Sequence, residues 1–235
     1  MSWYAKTTGG YAYNSAEATN NAFNLAYAMY SIGWCKEAVA AMLGNGAGES
    51  GLNPWRWESD YIPTVSEFQN WTPAQAQQHG YGIFQFTPAN KYINATNAAA
   101  YPQFYAPNFS DQPGNATDGE SQTLFFSAYV YSDWRPVDLY NYYYDNFIGI
   151  GVDITPWYYT NYSKFKAGTD NNDNSLTLHE LVGVFELNYE RPGDTYAASS
   201  YNNRCNMADY WYGVIPDPSG PIPVWMLFKF NKRWW

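Results

Sequence analysis

Along this chain a serine or threonine keeps standing where a helix would have to begin. Ser15 precedes a run that can stay helical from Ala16 to about Ile32, closed by Gly33. Thr72-Pro73, Thr87-Pro88 and Thr155-Pro156 each pair a capping hydroxyl with a proline. Proline is tolerated at the first helical position because its missing N–H would be unsatisfied there anyway. Thr117 and Thr177 stand three residues before Glu120 and Glu180, the reciprocal arrangement in which the acid answers the cap's own backbone N–H. So dense a set of start signals predicts a chain of many helices with little room for strands.

The remaining segments fit that pattern. A helix is expected from about Cys35 to Gly48 with Ala38, Val39, Met42 and Leu43 inward, and in the first helix Phe23, Ala26, Tyr27 and Tyr30 share a face. Further helices are expected over about 118–132 and 178–190, the second stopped by Pro192. Asp194 can cap a last one through about Tyr212, with Ala197, Tyr201, Cys205, Ala208 and Tyr212 on one stripe. Only GYGIFQF (80–86) reads as strand-like. With 46% hydrophobic residues and 14% charged, the 235-residue chain can bury a sizeable core. A net charge of −9 and the lack of any basic stretch argue against nucleic acid as a partner. The 24 tyrosines and 11 tryptophans exceed what a core needs, which suggests either a ring-rich surface or a groove with stacking platforms.

Other classes are set aside by specific residues. Two cysteines, Cys35 and Cys205, and two scattered histidines, His79 and His179, make no metal site, and no cofactor motif is present. In TDNNDNSLTLHE (169–180) the alternating Asp170, Asn172 and Asn174 begin like a calcium loop. Ser175 then stands where glycine is required and Leu181 where glutamate is, so the segment reads as a polar turn. The N-terminus has no apolar stretch of the secretory kind, and no run of 18 apolar residues exists.

The most informative stretch is GNGAGESGLNP (44–54), which puts one acid, Glu49, where the second helix must end. A carboxylate there meets the helix's negative pole, and nearby rings would add desolvation; both favour the protonated form. A carboxylic acid kept protonated near neutrality is what a glycosidase needs to protonate a leaving oxygen. Gly44, Gly46 and Gly48 each weaken the helix, so a backbone or ligand is expected to pass very close. An exposed acid at a frayed helix end is the alternative, and local physics alone leaves both open.

LGNGAGESGLNP resembles the signature of the phage tail lysozyme family, relatives of the goose-type lysozymes and lytic transglycosylases. GYGIFQFTPANKY (80–92), LVGVFELNYERPGD (181–194) and NNRCNMADYWY (202–212) are similar to further motifs of that family, in the same order. The resemblance implies a mainly α (α+β lysozyme-like) fold, with helical lobes around a substrate cleft and a small β-hairpin region. It implies cleavage of the N-acetylmuramic acid–N-acetylglucosamine backbone of peptidoglycan, without a cofactor, with Glu49 as general acid. Tyr81, Gln85 and Trp57 would line the cleft, with Ser50 bonding backbone at the helix end or the neighbouring acid, and Glu190 beside it in an ion pair with Arg191.

Hydrolysis also needs a group to activate water or stabilise the oxocarbenium ion. Glu58 and Asp60, in WRWESDY, are the candidates, with Glu67 a more distant one. A lytic transglycosylase would need no second acid, because the muramyl 6-hydroxyl attacks internally. The expected role is a muramidase carried in the phage virion at the tail. A holin-released endolysin and a non-catalytic glycan-binding tail protein are the rivals. Residues 1–214 form the expected catalytic domain. Residues 215–235, proline-rich and then apolar, hold three bases against one acid, a balance of +2 that leaves −11 on the rest. This arm is expected to dock on other tail proteins; twelve apolar and basic residues are few for membrane contact.

Overall fold

The computed structural model describes residues 3–93, 117–135, 140–157, 160–192 and 194–218. Its centre is a helix with almost no solvent face. That helix, α2 (Lys36–Ser50), buries every residue from Ala38 to Ala47, as expected of a segment apolar or small on all sides. The Cys35 sulfur accepts from the Ala38 N–H at its start, and Gly51, at φ 61°, closes it in the left-handed conformation. α1 (Ala16–Ser31) lies against it, capped by the Ser15 hydroxyl, which accepts from the Ala18 N–H. The face of α1 turned inward is Ala18, Ala22, Leu25, Ala26 and Met29, while Phe23 and Tyr27, expected on it, are only half-buried.

The second wall is α9 (Asp194–Val214), which packs along α2 more extensively than any other element. The glycines explain how. A Cβ at Gly44 would lie 2.6 Å from the Arg204 carbonyl oxygen, one at Gly48 3.3 Å from the Arg204 side chain, and one at Gly46 3.1 Å from the Phe84 ring. The expected close approach is therefore made by helix α9 on one side and by the 80–86 segment on the other. On α9, Ala197, Tyr201, Cys205 and Ala208 are buried as expected, but Tyr212 is exposed and Trp211 and Arg204 go inward instead. Cys35 and Cys205 are both free thiols.

Around this pair stand α5 (Thr117–Asp133), α6 (Tyr140–Gly149), α7 (Tyr162–Ala167) and α8 (Leu178–Phe185). α8 starts with the capping box of Thr177 and Glu180, then continues as a π turn, Glu186–Glu190, closed by Arg191 at φ 52°. Thr117 is already the first residue of α5 rather than its cap, and the cap expected at Asp194 rests on a side chain outside the described ones. At Thr155–Trp157 the chain makes only one 3-10 turn, and Asp153, not Thr155, accepts from the leading N–H.

A smaller cluster, Trp57, Phe68, Tyr81, Ala89 and Ile93, forms beside the main core. Two short helices with complete capping boxes serve it, α3 (Val65–Asn70) and α4 (Pro73–Ala76), capped by Thr64 and Thr72. Thr87-Pro88 does not start a helix in the expected way. The peptide is cis, Pro88 itself precedes the 3-10 turn Ala89–Lys91, and the Thr87 hydroxyl donates to the Gln85 carbonyl. The expected strand over 80–86 is instead a tight loop closed by reciprocal Tyr81–Phe86 backbone bonds. Among the described residues the β structure amounts to isolated bridges, Trp57–Tyr81, Tyr81–Phe86 and Thr169–Ser175. Gly82 at φ 89° and Gln85 at φ 44° make the reversal possible.

The first residues are built in. Trp3, Ala5 and Tyr11 are buried, and a Cβ at Gly10 would lie 2.5 Å from the Ser50 carbonyl oxygen. At the other end Ile215 is buried, the Tyr30 hydroxyl donates to the Pro216 carbonyl, and Lys36 pairs with Asp217 at 2.9 Å. The rest of the arm expected to dock on other proteins falls outside the described residues. Among those described, no helix is long and apolar enough to cross a membrane.

Helix propensity alone would make Gly44→Ala stabilising by about 1 kcal/mol. The clash with the Arg204 backbone reverses the sign. We expect a net loss of roughly 1–3 kcal/mol, read by thermal unfolding as about 2–4 °C per kcal/mol.

Candidate active site

A cleft of ≈ 460 Å³ opens where the smaller cluster meets the end of α2. Glu49 enters it from the last turn of α2, beside Phe84, Gln85 and Phe86 of the tight loop. Arg56, Glu58, Lys91, Tyr189, Glu190 and Arg191 also line it.

Buried amides and hydroxyls fasten the loop to the helix. The Ser50 hydroxyl donates to the Ile83 carbonyl at 2.7 Å and the Gly46 carbonyl at 3.2 Å, so it bonds backbone as expected. The Gln122 side chain accepts from the Ile83 N–H at 2.9 Å and donates to the Pro54 carbonyl at 2.6 Å. Asn53 donates to the Lys6 and Gly9 carbonyls and accepts from the Lys6 N–H, which ties the N-terminal segment to the same place. Each of these side chains is hydrogen-bonded to backbone, which fastens the loop to the end of α2.

Several expected site residues are brought together, and others are not. Glu49, Glu58, Gln85 and Glu190 all line the cleft. Glu58 also accepts from the Gly80 N–H at 2.8 Å. Gln85 spends its amide nitrogen on the Arg56 and Gly82 carbonyls, which fixes its side chain against the loop. Asp60 is not in the lining: it pairs with Arg56 at 3.0 Å and accepts from the Gly9 N–H at 2.7 Å, a loop-holding role. Trp57 and Tyr81, expected to present rings to sugar, are 0% exposed and pack on each other with centroids 4.6 Å apart. Both belong to the smaller cluster, and Phe84, Phe86 and Tyr189 supply the cleft's rings instead. The Glu190–Arg191 ion pair does not form; the Arg191 Nε donates to the Tyr189 carbonyl.

The counter-charge to Glu49 comes from a residue not singled out in the sequence. Arg204, 1% exposed on its side chain, pairs with Glu49 through Nη2 and with Glu186 through Nε at 3.1 Å, and donates from Nη1 to Asn45 at 2.9 Å. Ser200 donates to the same Glu186 oxygen at 3.0 Å. Burial works against the Arg204 charge, but Glu186, Glu49 and Glu190 outweigh it and hold the guanidinium protonated. Burial pushes Glu186 up to about 7 although Arg204 and Ser200 pull it down. Glu190 is pushed well above the ordinary 4.5, first by burial and then by the charge of Glu49. The signal available in sequence was the arginine interrupting an otherwise small and apolar α9 stripe, opposite glycines four residues apart on α2.

A family model of phage tail lysozymes matches residues 20–215. The chain belongs to the phage tail lysozyme family. It is thus a phage-associated, lysozyme-like protein. Morphogenesis protein 1 of Bacillus phage B103 is 24% identical over 202 residues, 85% of this chain and 40% of that relative. The chain therefore spans well under half the length of that relative. All four resembling motifs of this phage tail lysozyme chain lie inside the matched span. Three of them contribute cleft-lining residues, and the fourth contributes Arg204.

The buried acid gives a pH signature. A raised folded-state pKa means that folding retains the Glu186 proton, so its contribution is complete below the unfolded value near 4.5 and is lost as pH rises through about 7. Glu186→Gln removes that loss. Between pH 4.5 and 7.5 the variant should gain stability relative to the parent by up to about 3 kcal/mol, measured by denaturant unfolding at each pH.

Proposed function

We propose that this chain is a tail-borne muramidase that hydrolyses the N-acetylmuramic acid–N-acetylglucosamine backbone of peptidoglycan, with Glu49 as the general acid. The observation that carries the reading is the position of Glu49. It stands at the end of a buried helix, half-enclosed, and opens on a cleft of ≈ 460 Å³. The cleft is lined by three rings and by side chains able to bond acetamido and hydroxyl groups, Gln85, Thr87 and Arg56. Its net electrostatics also suit the task, since more acids than cations crowd the inner wall, which favours keeping a proton in the cluster.

Glu58 is the second carboxylate of the proposed mechanism. It lines the same cleft, and the Gly80 N–H steadies one of its oxygens, leaving the other to orient a water or to face an oxocarbenium ion. Asp60 is left out because Arg56 and Gly9 already hold it. For the tail location, support comes from the family and from the phage morphogenesis relative. The arm 215–235 is the proposed docking element. Its first residues are pinned to α1 and α2, which would transmit a firm attachment to the catalytic domain.

Glu49→Gln keeps the shape of the side chain and leaves no carboxyl to transfer a proton. It should lower lysis of purified cell walls by about 100-fold or more, with circular dichroism unchanged. Undiminished lysis by that variant would rule the mechanism out. Mass spectrometry of the released muropeptides should show reducing ends carrying a full water. Ends lighter by one water would indicate internal attack by the muramyl hydroxyl, the transglycosylase chemistry.

A further inference from the structure

Beside the smaller cluster lies a second cavity, of ≈ 440 Å³, that shares no lining residue with the cleft. Its rings stack in series. His79 lies on Trp71 with centroids 4.4 Å and planes 15° apart, and Tyr61 lies on His79 at 5.5 Å and 27°. Trp71 meets Trp57 and Phe68 edge-on, so the series is rooted in the packed interior of that cluster. The Tyr61 hydroxyl donates to Glu67 Oε1 at 2.9 Å, which fixes the far end of the ring, yet Tyr61 is 45% exposed. A ring so exposed adds little to the core, and its immobility removes most of the entropy cost of covering it with a ligand. Amides complete the lining. Asn70 spends its amide nitrogen on the Ser66 carbonyl, and Gln75 spends its amide oxygen on Thr72. The Asn70 oxygen and the Gln75 nitrogen are left for a ligand, and Gln78 adds a third exposed amide. No lysine or arginine lines the cavity. Bonds from the Thr64 backbone and hydroxyl, and then from Tyr61, hold the Glu67 carboxyl below its ordinary range, so the lining carries a fixed negative charge. Such a set turns away phosphates and suits a neutral sugar, whose C–H face covers a ring while its polar edge bonds amides.

We propose that this cavity is a second glycan-binding site, in which one N-acetylhexosamine ring of a peptidoglycan strand lies on Tyr61 and bonds Gln78, Gln75 and Asn70. Its ligand class rests on the reading of this chain as an enzyme of glycan strands; its place in the fold does not. The turn Glu58–Asp60 joins the two cavities. Glu58 and Ser59 line the cleft, while Tyr61, directly after the turn, lines the second cavity. Across from it the Glu58 N–H donates to the Gly80 carbonyl at 2.9 Å, next to His79. A strand held at Tyr61 therefore stays close to the cleft between cuts, which raises its effective concentration there. The charge of the chain gives such a contact a purpose. At a net −9 the protein gains no general attraction to an anionic wall, and rings with amides hold a neutral sugar without needing any.

The test uses the whole chain carrying Glu49→Gln, so that the probe is bound but not cut. Chitotetraose is titrated in while NMR follows the Trp71 indole N–H, the His79 ring and the Gln85 side-chain amide. We expect all three to shift, with the Trp71 and His79 signals saturating along a curve of their own. A shift at Gln85 with none at Trp71 or His79 overturns the second site and leaves the cleft reading standing. No shift at any of them removes the glycan reading, and this proposal with it. Adding Tyr61→Ala to the same chain should abolish the Trp71 response and weaken its co-sedimentation with purified peptidoglycan sacculi by roughly fivefold. Unchanged sedimentation by a folded Tyr61→Ala protein overturns the proposal as well. If Tyr61→Ala does not fold, Gln78→Ala replaces it, at an exposed position, with a loss of about threefold expected and the same failing result.

Discussion

The close passage of α9 across α2, allowed by bare backbone at Gly44 and Gly48, is the constraint from which the site follows. It delivers a guanidinium to the inner end of Glu49 without opening a channel for water, since the Arg204 side chain is almost wholly enclosed. Any side chain at Gly44 would push the helices apart, and the ion pair with them. Small residues in the central helix thus trade local helix strength for the placement of a charge. The two halves of the pair lie 155 positions apart in the chain. Nothing short of the tertiary fold could bring them together.

The cleft itself is a joint between two bodies of different construction. On one side is the helical core around α2; on the other is a small aromatic cluster held by capped short helices and a tight loop. Ser50, Gln122 and Asn53 bond backbone from both, so that the acid at the helix end and the loop bearing Gln85 share one rigid frame. A buried acid–arginine group of this type adds little net stability, because desolvation offsets most of the attraction. Its value is chemical: it fixes where protons reside.

The helical character of the chain was readable because caps act locally. Ser15, Thr72 and Thr177 do in the structure what their neighbours suggested, and Glu49 stands where the glycine run ends its helix. Thr87 misled because Pro88 stays extended at ψ 151° and itself precedes the 3-10 turn, so no helix begins at the proline. Trp57 and Tyr81 illustrate a different limit. A ring beside a cleft motif has the same sequence whether it faces sugar or packs behind the wall, and only the smaller cluster decides. Glu186 carried no local sign of its role, and for Arg204 the only hint was an arginine on the α9 stripe. Their meaning comes from three elements meeting, which periodicity along one element does not encode.

The family match begins at residue 20, yet the segment before it is not an ornament. Tyr11 sits so tightly on Gly51 that a Cβ there would approach its backbone to 2.5 Å, and Asn53 and Asp60 both draw bonds from residues 6–9. Trimming the chain to the homologous span would thus strip the outer brace from the bend that follows Glu49. The span matched by the family model and the mechanical unit of this protein do not coincide, and the latter is the longer of the two.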